Sequence, residues 1–169
     1  MKAETTYFNC GDQLRKTLEL EIGEVQSAVA GVQWMHSFQH TDEQGDFEHQ
    51  TGYNRGFAAQ FSKMGWERQP VLRREPKLIG DFRKGLVFVE IQFGNSAALY
   101  RDYYKFQYGL ANGLLSLAVL IVPTVPATFF PGRPRSVTNM ADYALAKTCL
   151  TVLPIHVPTM LVGLLPENN

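Results

Sequence analysis

The sequence predicts an α/β fold in which a central mixed β-sheet of about five strands is flanked by helices. Apolar spacing switches along the chain between the helical period and the strand period of two. Leu114 to Val122 is apolar except for Ser116, which is typical of a central strand buried on both faces. The 169 residues suffice for one domain with a sizeable core. We therefore treat 1–169 as one unit, with a helical N-terminal part at 1–46 and a core at 47–165.

The first third of the chain is predicted to be helical. Asp12 is a suitable N-cap, and the apolar residues behind it keep helical spacing, so 13–35 is predicted to be one helix. Residues 39–46 are polar and are predicted to form a loop. A second helix is predicted from about 48 to 64, where Gly65 suits its end.

The last third alternates helices, strands and a long loop. Helical spacing returns over 97–112, with an apolar stripe on one side. Residues 123–137 hold four prolines and are predicted to be a loop. Residues 138–149 suit a short helix, and 160–165 suit a last strand. Strands that alternate with helices indicate a mixed sheet covered on both faces.

The charge is balanced overall but is unevenly distributed. Residues 1–62 hold 4 Lys/Arg and 9 Asp/Glu, whereas 63–135 hold 11 and 5, and 136–169 hold 1 and 2. The net charges of these segments are −5, +6 and −1. A basic segment favours contact with phosphate groups, although most basic stretches are only solvated surface.

Composition argues against a membrane or a disulfide-bonded protein. The longest apolar run is far too short to span a bilayer, and no N-terminal signal peptide is evident. Cys10 and Cys149 are the two cysteines. We expect them to be reduced thiols in a cytoplasmic protein.

A hairpin is predicted within Lys77 to Phe93, where the apolar period is two. A two-residue turn at Gly85-Leu86 suits the type II′ geometry that hairpins prefer. This turn fixes the register, which pairs Lys84 with Val87, Arg83 with Phe88, Phe82 with Val89 and Asp81 with Glu90. Opposed side chains share one face of the sheet, and Gln92 follows Glu90 on that face.

Two opposed carboxylates and an amide predict a metal site. Asp81 and Glu90 would repel each other unless a cation lies between them. Few hard oxygen ligands suit Mg²⁺, with Mn²⁺ as a substitute, and the expected chemistry is metal-assisted hydrolysis. Gln92 would orient the water or contact a phosphate. The alternative is an ordinary strand with Glu90 and Gln92 facing solvent and Asp81 as a turn residue.

The spacing Asp81, eight residues, Glu90-x-Gln92 resembles the active site of the BglII-like restriction endonucleases. These are a variant of the PD-(D/E)xK nucleases with glutamine in the lysine position. Further resemblances follow in order along the chain: Asn54 and Trp66 twelve residues apart, Val89 to Asn95, Val119 to Val122, Phe130-Pro131, and Leu161 to Leu164. The resemblance covers about 47–165 well and implies a restriction-endonuclease-like fold with a catalytic core in that region.

The resemblance also implies an activity. Asp81, Glu90 and Gln92 would be catalytic, and Asp81, Glu90 and the carbonyl of Ile91 would hold the metal. The family acts as homodimers on short palindromic sites in double-stranded DNA, built around GATC in some relatives, and leaves a 5′-phosphate. A restriction role implies a cognate DNA methyltransferase in the same cell.

Candidate DNA contacts lie in three places. Asn95 matches a family residue that faces base edges, and an asparagine amide can pair with adenine. Arg101 and Lys105 lie one turn apart on the polar face of the helix at 97–112, where they would contact phosphate or form a solvated face. The loop after Phe130-Pro131 reads bases in the family, and its candidates here are Arg133, Arg135 and Ser136.

The chain departs from the family at two positions near the motif. Gly94 stands where the family has serine. Arg68 stands where the family has an active-site asparagine, so that supporting role is unassigned, with neighbouring Glu67 as an alternative.

Three other functions remain open at the level of sequence. The first is a structure-specific or repair nuclease of the same fold. The second is a DNA-binding module without catalysis, against which the intact Asp81, Glu90 and Gln92 argue. The third is a structural or interaction protein whose hairpin carboxylates are incidental.

Overall fold

A mixed six-stranded sheet forms the centre of the molecule. The computed structural model describes residues 1–133 and 135–167, without the side chains of Arg135 and Ser136. The strands are β1 Lys2–Phe8, β2 Gln39–Asp42, β3 Gly45–Glu48, β4 Glu67–Arg68, β5 Val71–Arg73, β6 Leu78–Ile79, β7 Phe82–Lys84, β8 Val87–Ile91, β9 Leu117–Pro123 and β10 Thr159–Leu165. The helices are α1 Asp12–Thr17, α2 Glu19–Gly31, α3 His49–Lys63, α4 Ala98–Ala111, α5 Pro126–Phe129 and α6 Tyr143–Val152, with a 3₁₀ turn at Arg135–Asn139.

The strand order in the main sheet is β1-β10-β9-β8-β7-β4. The three central strands β8, β9 and β10 are parallel, and the outer pairs are antiparallel. Helices α4 and α6 follow β8 and β9 along the chain, as the crossovers between parallel strands require. The predicted mixed sheet is therefore confirmed, and two of its six strands, β1 and β4, were not revealed by the sequence.

Most of the predicted elements are confirmed, including the helices at 48–64 and 97–112 and the central strand at 114–122. The helix predicted over 13–35 is wrong as one piece. Leu18 has φ −106° and ψ 22°, outside the helical region, and its side chain turns into the core. The chain thus ends α1 and starts α2 at this residue.

Two of the predicted loops contain regular structure. The prediction for 39–46 is wrong, because β2 and β3 form a hairpin there. Nearly all residues of this hairpin are exposed on both faces, so no apolar alternation marks the strands. The region 123–137, also predicted as a loop, contains α5 and the start of the 3₁₀ turn.

Two apolar clusters cover the two faces of the sheet. On one face, α2 and α3 pack against β8 and β9 through Val87, Val89, Val119 and Ile121. On the other face, α4 and α6 pack against Phe88, Ala118, Leu120 and Val122. Every residue of β9 is buried, as expected for a central parallel strand.

The face covered by α4 is the one on which the candidate site residues lie. Phe88 belongs to this face, and strand side chains repeat every second residue, so Glu90 points the same way. Across the described ranges 1–133 and 135–167, no helix is long and apolar enough to cross a membrane.

Candidate active site

The hairpin β7–β8 has the register that the sequence predicts. Phe82 pairs with Val89, Arg83 with Phe88, and Lys84 with Val87. Gly85 takes φ +53°, the left-handed value that the first position of a type II′ turn requires. The ladder ends at Phe82–Val89, so the predicted pairing of Asp81 with Glu90 does not form, because the backbone groups of Asp81 bond to Val89 and Gln69.

Asp81 is held against β8 by two hydrogen bonds. Its backbone N–H donates to the carbonyl of Val89 at 3.3 Å. Its Oδ2 accepts from the backbone N–H of Ile91 at 2.7 Å. The carboxylate of Asp81 is therefore fixed beside the residues that follow it on the neighbouring strand.

Glu90 lies under helix α4 in a buried ion-pair cluster. Its side chain is only 5% exposed, and its Oε1 lies 2.8 Å from Nζ of Lys105. The same ammonium lies 2.9 Å from Oδ1 of Asp102, one turn earlier on α4. Asp102 is fully buried. The helix thus brings one cation and one further carboxylate to Glu90.

The amide of Gln92 is turned toward this cluster. Its Nε2 donates to Oδ2 of Asp102 at 2.7 Å, and its Oε1 accepts from the backbone N–H of Gly94 at 2.8 Å. A Cβ at position 94 would lie 2.7 Å from that oxygen, which is closer than real contacts allow. The glycine at this position therefore accommodates the amide, where a serine would displace it.

Burial and neighbouring charges shift the pKa values of Glu90, Asp81 and Lys105. Burial, assisted by the charges of Asp81 and Asp102, raises the pKa of Glu90, and Lys105 opposes this rise. Burial also raises the pKa of Asp81, against the N–H of Ile91. Burial disfavours the ammonium of Lys105, but the two carboxylates beside it outweigh burial and raise its pKa.

A cavity of about 420 Å³ opens over this cluster. Predicted site residues line it: Asp81, Glu90, Ile91, Gln92, Arg101 and Lys105. Lys77 also lines the cavity, and both Arg101 and Lys77 are exposed. A smaller adjoining pocket of about 210 Å³ shares Asp81 and Ile91 and adds Asn54 and Arg68. Asp81 thus stands where two open spaces meet.

The charges of the cluster fit a divalent cation. Three carboxylates, from Asp81, Glu90 and Asp102, face one ammonium, from Lys105, which leaves a formal charge of −2. Within the described residues, no group of three or more His, Cys, Asp or Glu side chains has metal-site geometry. Mg²⁺ needs only one or two protein carboxylates and keeps several waters, so Asp81 and Glu90 fit that ion.

The residues predicted to contact DNA differ in how exposed they are. Asn95 is exposed, with its Oδ1 accepting from the N–H of Ala97 at 2.8 Å, and its backbone bridges to Met140. Arg101 is exposed beside the cavity. Lys105 is 6% exposed, so the expectation of a solvated helix face is wrong for this residue.

The loop after Phe130-Pro131 is only partly described. The guanidinium of Arg133 lies 5.3 Å from the ring centroid of Phe130. Its Nη1 is buried without a hydrogen-bond partner in the described part of the chain. The side chains of Arg135 and Ser136 lie outside the described residues, so their predicted base contacts stay predictions.

Glu67 does not reach the cluster. It is half exposed and pairs with Arg83 at 2.7 Å on the outer strands of the sheet. Arg68, by contrast, lines the pocket beside Asp81. Of the two residues left open at the family's asparagine position, Arg68 is therefore the one near the site.

Sequence reasoning missed Asp102 and Lys77. Asp102 follows the apolar residue Leu99 by three positions, which places it on the buried side of α4. The signal that could have revealed it is the pair Asp102–Lys105, an acid and a base at the i,i+3 spacing beside a buried stripe. Lys77 follows Pro76 in a polar connection, where nothing in the sequence marks it.

Comparisons with known proteins give consistent findings. The family model for restriction endonuclease BglII/BglIII matches residues 3–164. The fold is similar to the crystal structure of restriction endonuclease BglII complexed with a DNA 16-mer, with a TM-score of 0.72 and 19% sequence identity. That similarity covers 99% of this chain and 78% of the other. No curated protein sequence matches the chain.

Proposed function

The chain belongs to the BglII/BglIII restriction endonuclease family and is thus a type II site-specific deoxyribonuclease, and we propose that it cuts double-stranded DNA with Mg²⁺ at Asp81 and Glu90. The proposed site is a short palindrome, with GATC-containing sequences as the first candidates, and the proposed product carries a 5′-phosphate. In this proposal the whole of 1–169 is one endonuclease domain.

The cavity over β8 is the observation that carries the proposal. Asp81 and Glu90 meet at its wall, although two buried carboxylates side by side repel each other. The cluster keeps a formal charge of −2 even after the ion pair with Lys105 is counted. A divalent cation would remove this excess, and the open cavity leaves room for a phosphodiester.

The residues of the chain have separate tasks in this mechanism. Asp81 and Glu90 would hold Mg²⁺, with the Ile91 carbonyl as a third ligand. When bound, Mg²⁺ would offset negative charge on the phosphoryl oxygen and lower the pKa of the attacking water. Arg101 and Lys77 are exposed at the same cavity and would position the DNA backbone.

Gln92 takes a supporting part in this proposal. Both ends of its amide are hydrogen-bonded, to Asp102 and to Gly94. In that position it orients Asp102, and through Asp102 it fixes Lys105. A direct contact of Gln92 with water or phosphate would require at least one of these bonds to break.

We further propose a homodimer that places one active site on each strand of a palindrome. Tyr100 and Tyr104 are 58% and 51% exposed on α4, whereas Tyr103 and Phe106 are buried in the core. Exposed tyrosines one turn apart suit an interface between copies of this helix. Asn95, Arg133, Arg135 and Ser136 are the proposed base-reading residues, and a cognate DNA methyltransferase is the proposed partner in the cell.

A cleavage assay tests the proposed function. The purified protein is incubated with plasmid DNA and Mg²⁺, and the product ends are sequenced. We expect discrete bands with palindromic sequences at the cut ends. A smear would indicate a nonspecific nuclease, and a gel shift without cleavage would indicate a binding module.

Glu90→Ala tests the assigned site. The variant should lose cleavage by more than about 100-fold, because it removes a metal ligand, while DNA binding stays measurable. Glu19→Ala, at an exposed position on α2, is the matched control and should cut like the unmodified chain. Full activity in Glu90→Ala would remove the site assignment.

A further inference from the structure

Strand β8 and Gln92, which follows it, contribute an acid and an amide to the cavity but no cation. The amide is already occupied, since Gln92 Nε2 donates to Asp102 and its Oε1 accepts from Gly94. The amide of Gln92 is uncharged, and its hydrogen bonds at both ends occupy the groups that could contact the substrate. The positive charge of this centre must come from another element.

Helix α4 brings that charge from the other side of the cavity. Lys105 Nζ lies 2.8 Å from Glu90 Oε1 and 2.9 Å from Asp102 Oδ1. Its side chain is 6% exposed, yet it lines the same cavity as Asp81 and Glu90. A buried lysine at the wall of an open site has a different environment from Arg101, which is exposed one turn earlier.

Asp102 holds Lys105 rigidly in place. The two residues are one helical turn apart, Asp102 is fully buried, and its second oxygen accepts from Gln92. The chain Gln92–Asp102–Lys105–Glu90 therefore joins α4 to β8 and the residue that follows it through two polar contacts, and the third contact lies within α4. Glu90 Oε1 and Asp102 Oδ1 have no hydrogen-bond partner of good geometry and meet Lys105 as ion pairs, so the ammonium is what holds these two buried oxygens.

We infer that Lys105, anchored by Asp102, is the cationic positioning residue of this active site and acts through Glu90. The inference rests on the proposed function of Asp81 and Glu90. Lys105 stays an ammonium, holds the Glu90 carboxylate at the cavity wall, and offsets part of the charge that the carboxylates concentrate there.

This role has an electrostatic consequence that a purely structural lysine lacks. An ammonium paired with a metal ligand weakens the binding of a divalent cation, because it competes with the cation for the charge of the Glu90 carboxylate. Removal of Lys105 should therefore tighten metal binding and, at the same time, slow cleavage, since Glu90 is no longer positioned. A structural role would weaken both together.

The experiment measures Ca²⁺ binding by calorimetry and single-turnover cleavage at saturating Mg²⁺. In Lys105→Met, Ca²⁺ affinity should rise by at least about fivefold and cleavage should fall by at least about 100-fold. In the background of Glu90→Gln, the same substitution should change Ca²⁺ affinity by less than about twofold. Lys105→Arg keeps the charge and should retain cleavage within about tenfold.

Two further variants keep the test decisive. Lys147→Met removes an exposed lysine from α6 and should change neither readout. If Lys105→Met does not fold, Lys105→Met with Asp102→Asn removes one charge of each sign and relieves the unpaired carboxylate. This double variant should also cut at least about 100-fold more slowly than the unmodified chain.

Several results would overturn the inference. These are Ca²⁺ affinity that falls together with cleavage, a change in affinity that persists without Glu90, or near-normal cleavage in the double variant. The unmodified chain is measured alongside. If it does not cut DNA at all, the proposed function fails, while the Ca²⁺ coupling between Lys105 and Glu90 still tests this inference separately.

Discussion

His49, the first residue of α3, is a fully buried histidine among aromatic rings. Its ring centroid lies 4.8 Å from that of Phe130 and 5.2 Å from that of Phe38. Burial, with smaller contributions from Arg133 and His40, lowers the pKa of His49 to about 4. The folded protein therefore keeps this imidazole neutral where the unfolded chain would protonate it.

The pH dependence of stability follows from this depressed pKa. Below the unfolded value of 6.5, the unfolded chain binds a proton that the folded chain refuses until pH falls to about 4. The free energy of unfolding is therefore not reduced by this titration above pH 6.5, and it decreases as the pH falls from 6.5 toward 4. The loss amounts to about 3 kcal/mol over that window.

His49→Phe should remove this loss, because phenylalanine does not titrate. Urea unfolding at pH 7 and pH 4 measures the difference. The drop in unfolding free energy should be smaller in His49→Phe than in the unmodified chain by about 3 kcal/mol. His156→Gln, at an exposed histidine, should leave the drop unchanged. Equal drops in all three proteins would contradict the prediction.

At the residue scale, the strand period of two predicted the site residues on the hairpin, whereas helical spacing did not predict the buried polar cluster on α4. The period of two predicts Asp81 opposite Glu90, a pair that does not form, and the structure confirms the pairing of the three residue pairs that precede it in the hairpin. A polar residue on a helix is read as solvated because helical spacing does not say how far a neighbouring strand reaches. Asp102 was therefore missed, and Lys105 was predicted on the polar face of its helix and not in a buried cluster.

At the scale of elements, Gly80 fixes how β6 and β7 approach the sheet. An added Cβ at this position would lie 2.0 Å from Cζ of Phe88. Phe88 is fully buried and cannot move aside, since its ring packs among the residues under α4. The close approach therefore depends on the missing side chain.

Gly80→Ala should destabilise the protein by about 1–3 kcal/mol through overpacking. Gly23→Ala is the matched control, because nothing lies within 4 Å of a Cβ there and the position is inside α2. The control should stabilise the protein by about 0.5–1 kcal/mol, since alanine favours the helix. Thermal unfolding of both variants measures these changes, and a neutral Gly80→Ala would refute the packing argument.

Elements were predictable where one face is buried and the other is not. Helices α3 and α4 bury one side each, so their apolar stripes appear in the sequence. The hairpin β2–β3 is exposed on both faces, and β1 at the sheet edge is largely exposed, so neither has a clear alternation. Their pairing depends on distant partners, which local spacing cannot reveal.

At the scale of the whole molecule, the proposed dimer predicts the mass of the protein in solution. Sedimentation equilibrium should give about twice the chain mass of 19.0 kDa. Tyr104→Glu should weaken association by at least about tenfold, because the two-fold axis brings like charges together. It should also convert double-strand cuts to nicks, since each copy serves one strand.

Val152→Glu is the control for this substitution. Val152 is 74% exposed at the end of α6, away from the tyrosines of α4. This variant should keep the mass and the double-strand cutting of the unmodified chain. A single-chain mass for the unmodified protein at micromolar concentration would refute the dimer.

Gly94 also limits what can be transferred between relatives. The amide of Gln92 occupies the space that a side chain at 94 would need. In a homologue with serine there, the glutamine amide has to shift away from that side chain, which alters the hydrogen bonds found here. The same three-residue motif can thus have two geometries, and a mechanism learned from one does not extend to the other without inspecting the residue two places downstream.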